Sequence, residues 1–130
     1  MKRITLIALA VFAIVVLPAT AAPPQQASLS IDTPAPYSFG QEIIVTTTTS
    51  GSHYAYAWTQ MFCYQDGILV GVGAGDLNAN DGGSYEDVFT LGPSQVWQSG
   101  AASCELRVYV QSADFRQVKV KATIAFEVAA

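Results

Sequence analysis

The stretch Cys104-Glu105-Leu106-Arg107-Val108-Tyr109-Val110-Gln111, followed after a short gap by Val118-Lys119-Val120-Lys121-Ala122-Thr123-Ile124-Ala125-Phe126-Glu127-Val128, decides the fold class. Apolar and polar residues alternate with a period of two, which is the period of a strand buried on one face. In the first segment Cys104, Leu106, Val108 and Val110 share the inward side, opposed to Glu105, Arg107, Tyr109 and Gln111. In the second, Val118, Val120, Ala122, Ile124, Phe126 and Val128 oppose Lys119, Lys121, Thr123 and Glu127. Cys104 therefore points into the core.

Working towards the N-terminus, the pattern stays extended. Tyr85 to Leu91, Ile68 to Val72, Tyr54 to Tyr64, Glu42 to Thr49 and Ser28 to Ile31 read as strands, rich in β-branched and aromatic residues and bounded by turn-forming ones. Gln65-Asp66-Gly67 suits a hairpin turn, and the Gly, Asn and Asp stretch from Gly73 to Gly83 reads as loop. No segment carries sustained apolar spacing at helical period. The expected class is all-β, a two-sheet sandwich of about seven strands spanning residues 28–130.

The other end of the chain is of a different kind. Lys2 and Arg3 precede an unbroken apolar run from Ile4 to Leu17, then Pro18 and the small residues Ala19 to Ala22. This is the three-part pattern of a secretory signal peptide over residues 1–21, with cleavage expected after Ala21. The run falls short of the roughly 20 apolar residues of a spanning helix, so no stable membrane insertion is expected afterwards. Residues 22–27, Ala-Pro-Pro-Gln-Gln-Ala, read as a flexible leader. The C-terminal Phe126 to Ala130 ends a strand, which points to release outside the cell, into the periplasm, or to the cell surface.

Loss of Lys2 and Arg3 takes the net charge from −4 to −6, since Arg107, Arg116, Lys119 and Lys121 then face ten acidic residues. Such a balance disfavours nucleic acid, whose recognition needs many cationic contacts to phosphate. It leaves extracellular protein or glycan as the partner classes. Export also places Cys63 and Cys104 in an oxidising compartment, where a disulfide is the leading reading. Two thiols and the distant His53 make a poor tetrahedral metal set.

At this point the chain resembles the bacterial and bacteriophage immunoglobulin-like domains, from about Ser28 to Val128. The likeness rests on Pro36-Tyr37-Ser38-Phe39-Gly40 before a β-branched strand, on the aromatic strand through Trp58 to Cys63-Tyr64-Gln65-Asp66-Gly67, and on Trp97-Gln98-Ser99-Gly100-Ala101-Ala102-Ser103-Cys104 leading into an alternating one. The resemblance implies a Greek-key sandwich used for adhesion, recognition or spacing, without chemistry. One departure stands out. Antibody-type domains carry the first cysteine on the second strand, where this chain has Val45 and Thr47. Here it ends the third strand, so the bridge would join neighbouring strands of one sheet.

A bridge of that kind needs both cysteines on one face. Counting back from Cys63 in twos gives Met61, Thr59, Ala57 and Ala55 an inward side, and leaves Tyr54, Tyr56, Trp58, Gln60, Phe62 and Tyr64 outward, beside Arg107 and Tyr109. Tyr54, Tyr56, Trp58 and Tyr109 would then form a stacking surface for sugar rings or a protein hot spot. The alternative is a bulge between Trp58 and Cys63, which would return Trp58 to the core, as in most immunoglobulin-like domains. Trp97, in a turn, reads as a plug for the end of the sandwich.

Other chemistry is suggested and mostly rejected. Asp76, Asn78, Asn80 and Asp87 fall at positions 1, 3, 5 and 12 of a calcium-loop count, but Asp81 occupies the position that needs glycine, and no helices flank the loop. Glu86 and Asp87, adjacent on a strand, point to opposite faces. No nucleophile elbow accompanies His53, and Gly71-Val72-Gly73-Ala74-Gly75 lacks the lysine and helix of a phosphate loop. The expected function is a non-catalytic binding module without cofactor. The alternatives are a structural or spacer subunit assembling through strand edges, and a calcium-stabilised carbohydrate-binding module.

Overall fold

The structure, a computed structural model, describes residues 26–50, 54–79 and 83–130. The expected signal peptide, most of the leader, His53 and Asn80 lie outside these residues. Among the described residues nine strands follow in chain order: β1 (Gln26–Ile31), β2 (Tyr37–Ser38), β3 (Glu42–Ser50), β4 (Tyr54–Gln65), β5 (Ile68–Ala74), β6 (Asn78–Ala79), β7 (Gly83–Thr90), β8 (Ala102–Ser112) and β9 (Val118–Ala129). The fold class is all-β, as the alternation requires.

Two sheets pack against each other. The smaller has the order β1-β3-β7, and the larger β2-β9-β8-β4-β5, with β6 adding to β4. Every pairing is antiparallel except the short β2–β9 contact. The strand β1 begins at Gln26, earlier than the sequence suggests, because Gln26 and Ala27 continue the ladder to Ser50 and Thr49. The short strands β2 and β6 carry too few residues to show a period of two. The stretch from Gly73 is also not all loop: β5 continues to Ala74, opposite Gln60, and Asn78–Ala79 pairs with Ala57 and Tyr56.

The inward faces make the core. Ile43, Val45 and Phe89 of the small sheet meet Met61, Cys63, Leu106 and Phe126 of the large one. Trp97 is 1% exposed and closes the end of the sandwich, its Nε1 donating to the Gly100 carbonyl at 3.0 Å and its ring 5.4 Å from Phe39. Space for that indole comes from Gly71, where a Cβ would lie 3.1 Å from the Trp97 ring. Asp66 and Gly67 both take positive φ, 50° and 78°, as a two-residue hairpin turn of the mirror-image type demands.

The core also contains polar groups. Thr47 of β3 and Thr59 of β4 are fully buried and share a hydrogen bond of 2.7 Å between the sheets. This bond spans the sandwich where the apolar cluster gives way to a second one of Tyr54, Ala57, Val108 and Val110. A buried hydroxyl costs little when paired in this way.

Candidate functional site

The disulfide Cys63–Cys104 joins directly opposed residues of β4 and β8, neighbours in one sheet, with both side chains in the core. It fixes the parity of β4. From Ala57 to Cys63 the alternation is unbroken, so Ala57, Thr59 and Met61 are buried while Tyr56, Trp58, Gln60 and Phe62 lie outside the sandwich. The bulge that would have carried Trp58 inward is absent from this stretch. The outward reading of Trp58 is the one the structure adopts.

The face built this way has regular rows. Trp58 sits opposite Tyr109 and Gln60 opposite Arg107. The Trp58 and Tyr109 rings stack with centroids 5.7 Å apart and planes 13° from parallel. Arg107 places its guanidinium 4.7 Å from the centre of the Phe62 ring, donates to the Tyr109 hydroxyl at 3.3 Å and pairs with Glu105. The hydrogen bond to Tyr109, and after it the pairing with Glu105, push the Arg107 pKa up, against the opposing effect of burial. The contacts with Phe62, Tyr109 and Glu105 hold its charge over the aromatic row.

Two predicted orientations are corrected. Tyr54, expected beside Tyr56 on the outward face, is buried at 4% exposure and packs with Ala57, Val108 and Val110. The pairing of β4 with β8 slips between Tyr54 and Tyr56, so Ala55 is an extra residue and the parity changes there. The second correction is in β9. Val118 and Val120, expected in the core, are 53% and 48% exposed. The register slips between Val108 and Tyr109: Ala122 faces Val108 but Val120 faces Tyr109, leaving Lys121 as the extra residue. Both valines consequently join the outward face, opposite Gln111 and Tyr109.

The β8–β9 turn extends this surface. Phe115 has φ of 61°, a left-handed conformation uncommon for a bulky residue, and its N–H donates to the Ser112 carbonyl at 2.9 Å. Asp114 accepts from Ser112 Oγ and from the Arg116 N–H, which hold its carboxyl below its ordinary pKa. So fixed, the Phe115 ring stands 6.1 Å from that of Tyr56. Sequence reasoning missed Phe115, Val118 and Val120 as members of this face. A phenylalanine in a turn of otherwise polar residues was the available signal for the first.

The calcium count does not assemble. Asp87 is 7% exposed, turned into the sandwich, with Oδ1 accepting from the Asp76 N–H at 3.0 Å. Gly75 packs so closely that a Cβ there would meet the Asp87 carboxylate at 2.4 Å. Burial, more than the nearby charge of Asp76, raises the Asp87 pKa against the lowering effect of that hydrogen bond. Burial likewise pushes up the Tyr85 hydroxyl on the same face of β7. Among the described residues no three His, Cys, Asp or Glu side chains gather as metal ligands, and no helix is long and apolar enough to cross a membrane.

Concavities open at two places among the described residues. One, of about 340 Å³, opens between β6 and β7 and is lined by Thr49, Ala57, Asn78 and Tyr85 among others. The other, of about 380 Å³, lies at the disulfide end of the large sheet, lined by Tyr64, Gln65, Asp66, Ser103 and Glu127 among others. In the second, Ser103 Oγ donates to Glu127 Oε2 at 2.8 Å. No protein-family model matches the chain, and no curated protein sequence matches it.

Proposed function

We propose that this chain is an exported, non-catalytic recognition module of the immunoglobulin-like class, and that the outward face of its large sheet receives an extracellular protein or glycan. The observation that carries the reading is the stacked Trp58–Tyr109 pair beside Arg107 and Phe62, outside a core that has its own tryptophan. Tryptophan, tyrosine and arginine are the side chains over-represented at binding hot spots. Exposed apolar side chains that adjoin one another on one face mark interaction sites rather than chance exposure.

The class assignment draws on the strand order. Two mainly antiparallel sheets, β1-β3-β7 against β9-β8-β4-β5, follow the arrangement that the resemblance implies. Export is supported by the N-terminal pattern and agrees with the disulfide. The test is a screen of extracellular glycans and proteins read by titration calorimetry, repeated with Trp58→Phe and Tyr109→Ala. A saturable response that Tyr109→Ala weakens about tenfold or more is expected. Ligands that bind equally well to all three proteins would place recognition elsewhere.

A structural or spacer role is the second reading, and β5 favours it. This edge strand carries no charge and no proline, and exposes Ile68, Leu69 and Val72. Natural edges are ordinarily guarded by charges or prolines, which β5 lacks.

A further inference from the structure

Between the two sheets the inward rows change character towards the Ser50 end of β3. Ile43 and Val45 are followed on the same face by Thr47 and Thr49, which stand opposite Tyr85 and Gly83 of β7. On the large sheet Ala57 stands opposite Asn78 of β6, so both side chains take the inward face. The Thr47–Thr59 hydrogen bond ties the sheets together one row before this point. Beyond it, Thr49, Gly83 and Ala57 carry too little side chain to fill a gap of about 10 Å between sheets. A Cβ on Gly83 would meet nothing within 4 Å. The cavity of about 340 Å³ between β6 and β7 is the result.

Among the described residues that line it there is no charged side chain, yet the lining is polar. Thr49 is 7% exposed, and its hydroxyl bonds to no described residue. Asn78 Nδ2 donates to the Asp76 carbonyl at 2.8 Å, which orients the amide and leaves its oxygen and second N–H for another partner. The Tyr85 hydroxyl is buried near Thr59 and Thr47, so the part of that side chain meeting the cavity is the ring. A polar side chain as buried as Thr49 ordinarily has a hydrogen-bond partner.

We infer that this cavity holds one neutral sugar residue, the end of a glycan chain, at a site separate from the outward face of the large sheet. Its volume lies at the lower end of the roughly 300–1,000 Å³ of small-molecule sites, which suits one ring and not a run of them. Thr49 and Asn78 together offer donors and acceptors, as neighbouring sugar hydroxyls require. The Tyr85 ring and Ala57 offer carbon to the C–H side of the same sugar. An ionised ligand would leave water without finding a counter-charge in this lining. An apolar ligand would leave the Thr49 hydroxyl and the Asn78 amide unpaired.

The experiment is an amide NMR titration of the oxidised protein recovered from an exporting host. The probes are glucose, galactose, mannose and N-acetylglucosamine, with glucuronic acid as the charged control. At least one neutral sugar is expected to shift the signals of Thr49, Ala57, Asn78 and Gly83 saturably, and glucuronic acid to bind about tenfold more weakly or worse. Thr49→Val keeps the shape and removes the hydroxyl, and should weaken binding about three- to tenfold with thermal unfolding little changed. Asn78→Ala, on the short β6, should do the same. A cavity that takes only water gives no saturable shift with any neutral sugar, and that result overturns the inference. So does a Thr49→Val protein that binds as the wild type does, or glucuronic acid that binds as tightly as the neutral sugars. Shifts confined to Trp58, Tyr109 and their neighbours would also overturn it, while keeping the outward face as the glycan site.

Discussion

Trp58 and Tyr109 stack across the β4–β8 pair, 5.7 Å between centroids and 13° from parallel, on the opposite side of the sheet from the buried Trp97. The two tryptophans of the chain thus have separate surroundings, one on the outward face of the large sheet and one in the core. Their energetic signatures should differ accordingly. Trp97→Ala is expected to cost about 3–5 kcal/mol, the usual penalty for emptying a large aromatic site. The Trp58→Ala and Tyr109→Ala pair should instead show a coupling of about 0.5–1.5 kcal/mol in a double-mutant cycle. Denaturant unfolding of the wild type, Trp97→Ala, the two single variants and the double variant measures both. A Trp58→Ala cost as large as that of Trp97→Ala would mean that the outward face is load for the fold rather than for a partner.

The two bulges make opposite predictions for residues that look alike in sequence. Val120→Asp should change stability by no more than about 0.5 kcal/mol, because the extra residue Lys121 has turned Val120 to solvent. Tyr54→Ala should cost several times more than Tyr56→Ala, since Ala55 turns Tyr54 inward. Thermal unfolding of the three variants decides it. Collapse of the Val120→Asp protein would show that β9 keeps strict alternation after all.

These bulges also mark the limit of what the chain discloses on its own. Cys104, Leu106, Val108 and Val110 are inward as their alternation requires, and so are Ile124, Phe126 and Val128 to a lesser or greater degree. Cys63 could be placed on the same face because a bridge between neighbouring strands allows no other parity. Trp97 is the plug its turn position suggests. Val118 and Val120 follow the same pattern as Ile124 and Phe126, yet face the other way. Parity within one strand is local, whereas a bulge is set by the register with the neighbouring strand, and no spacing along β9 or β4 records that register. The apolar content of the outward face was underread for this reason.

The disulfide invites a test of stability rather than of redox function. Cys63 and Cys104 are buried, so reductant should reach them only when the domain opens. Replacing both by alanine removes a link across a sequence separation of 41, worth about 4 kcal/mol by the chain-entropy relation. The double variant should therefore unfold at markedly lower temperature with the same strand content. Rapid reduction of the native protein, without unfolding, would contradict the burial.

Asp87 gives the pH dependence. Its carboxyl is raised above its ordinary pKa by burial first, with the Asp76 N–H opposing and the Asp76 charge assisting, and its Oδ2 has no hydrogen-bond partner among the described residues. An acid with a raised native pKa holds its proton more tightly folded than unfolded. Between the unfolded value, about 4, and the higher native one, the folded state binds more protons, so this group's contribution falls as pH rises through that window and stays low above it. Asp87→Asn keeps an oxygen to accept from the Asp76 N–H and never ionises. The variant should match the wild type at about pH 3 and unfold at a higher temperature than it at about pH 7. The difference between the two melting temperatures, followed across the window, reads the titration of this one group while other carboxylates cancel. A wild type more stable than Asp87→Asn at neutral pH would mean that the buried carboxylate has a cationic partner, and would return the Asp76 to Asp87 segment to consideration as a metal loop.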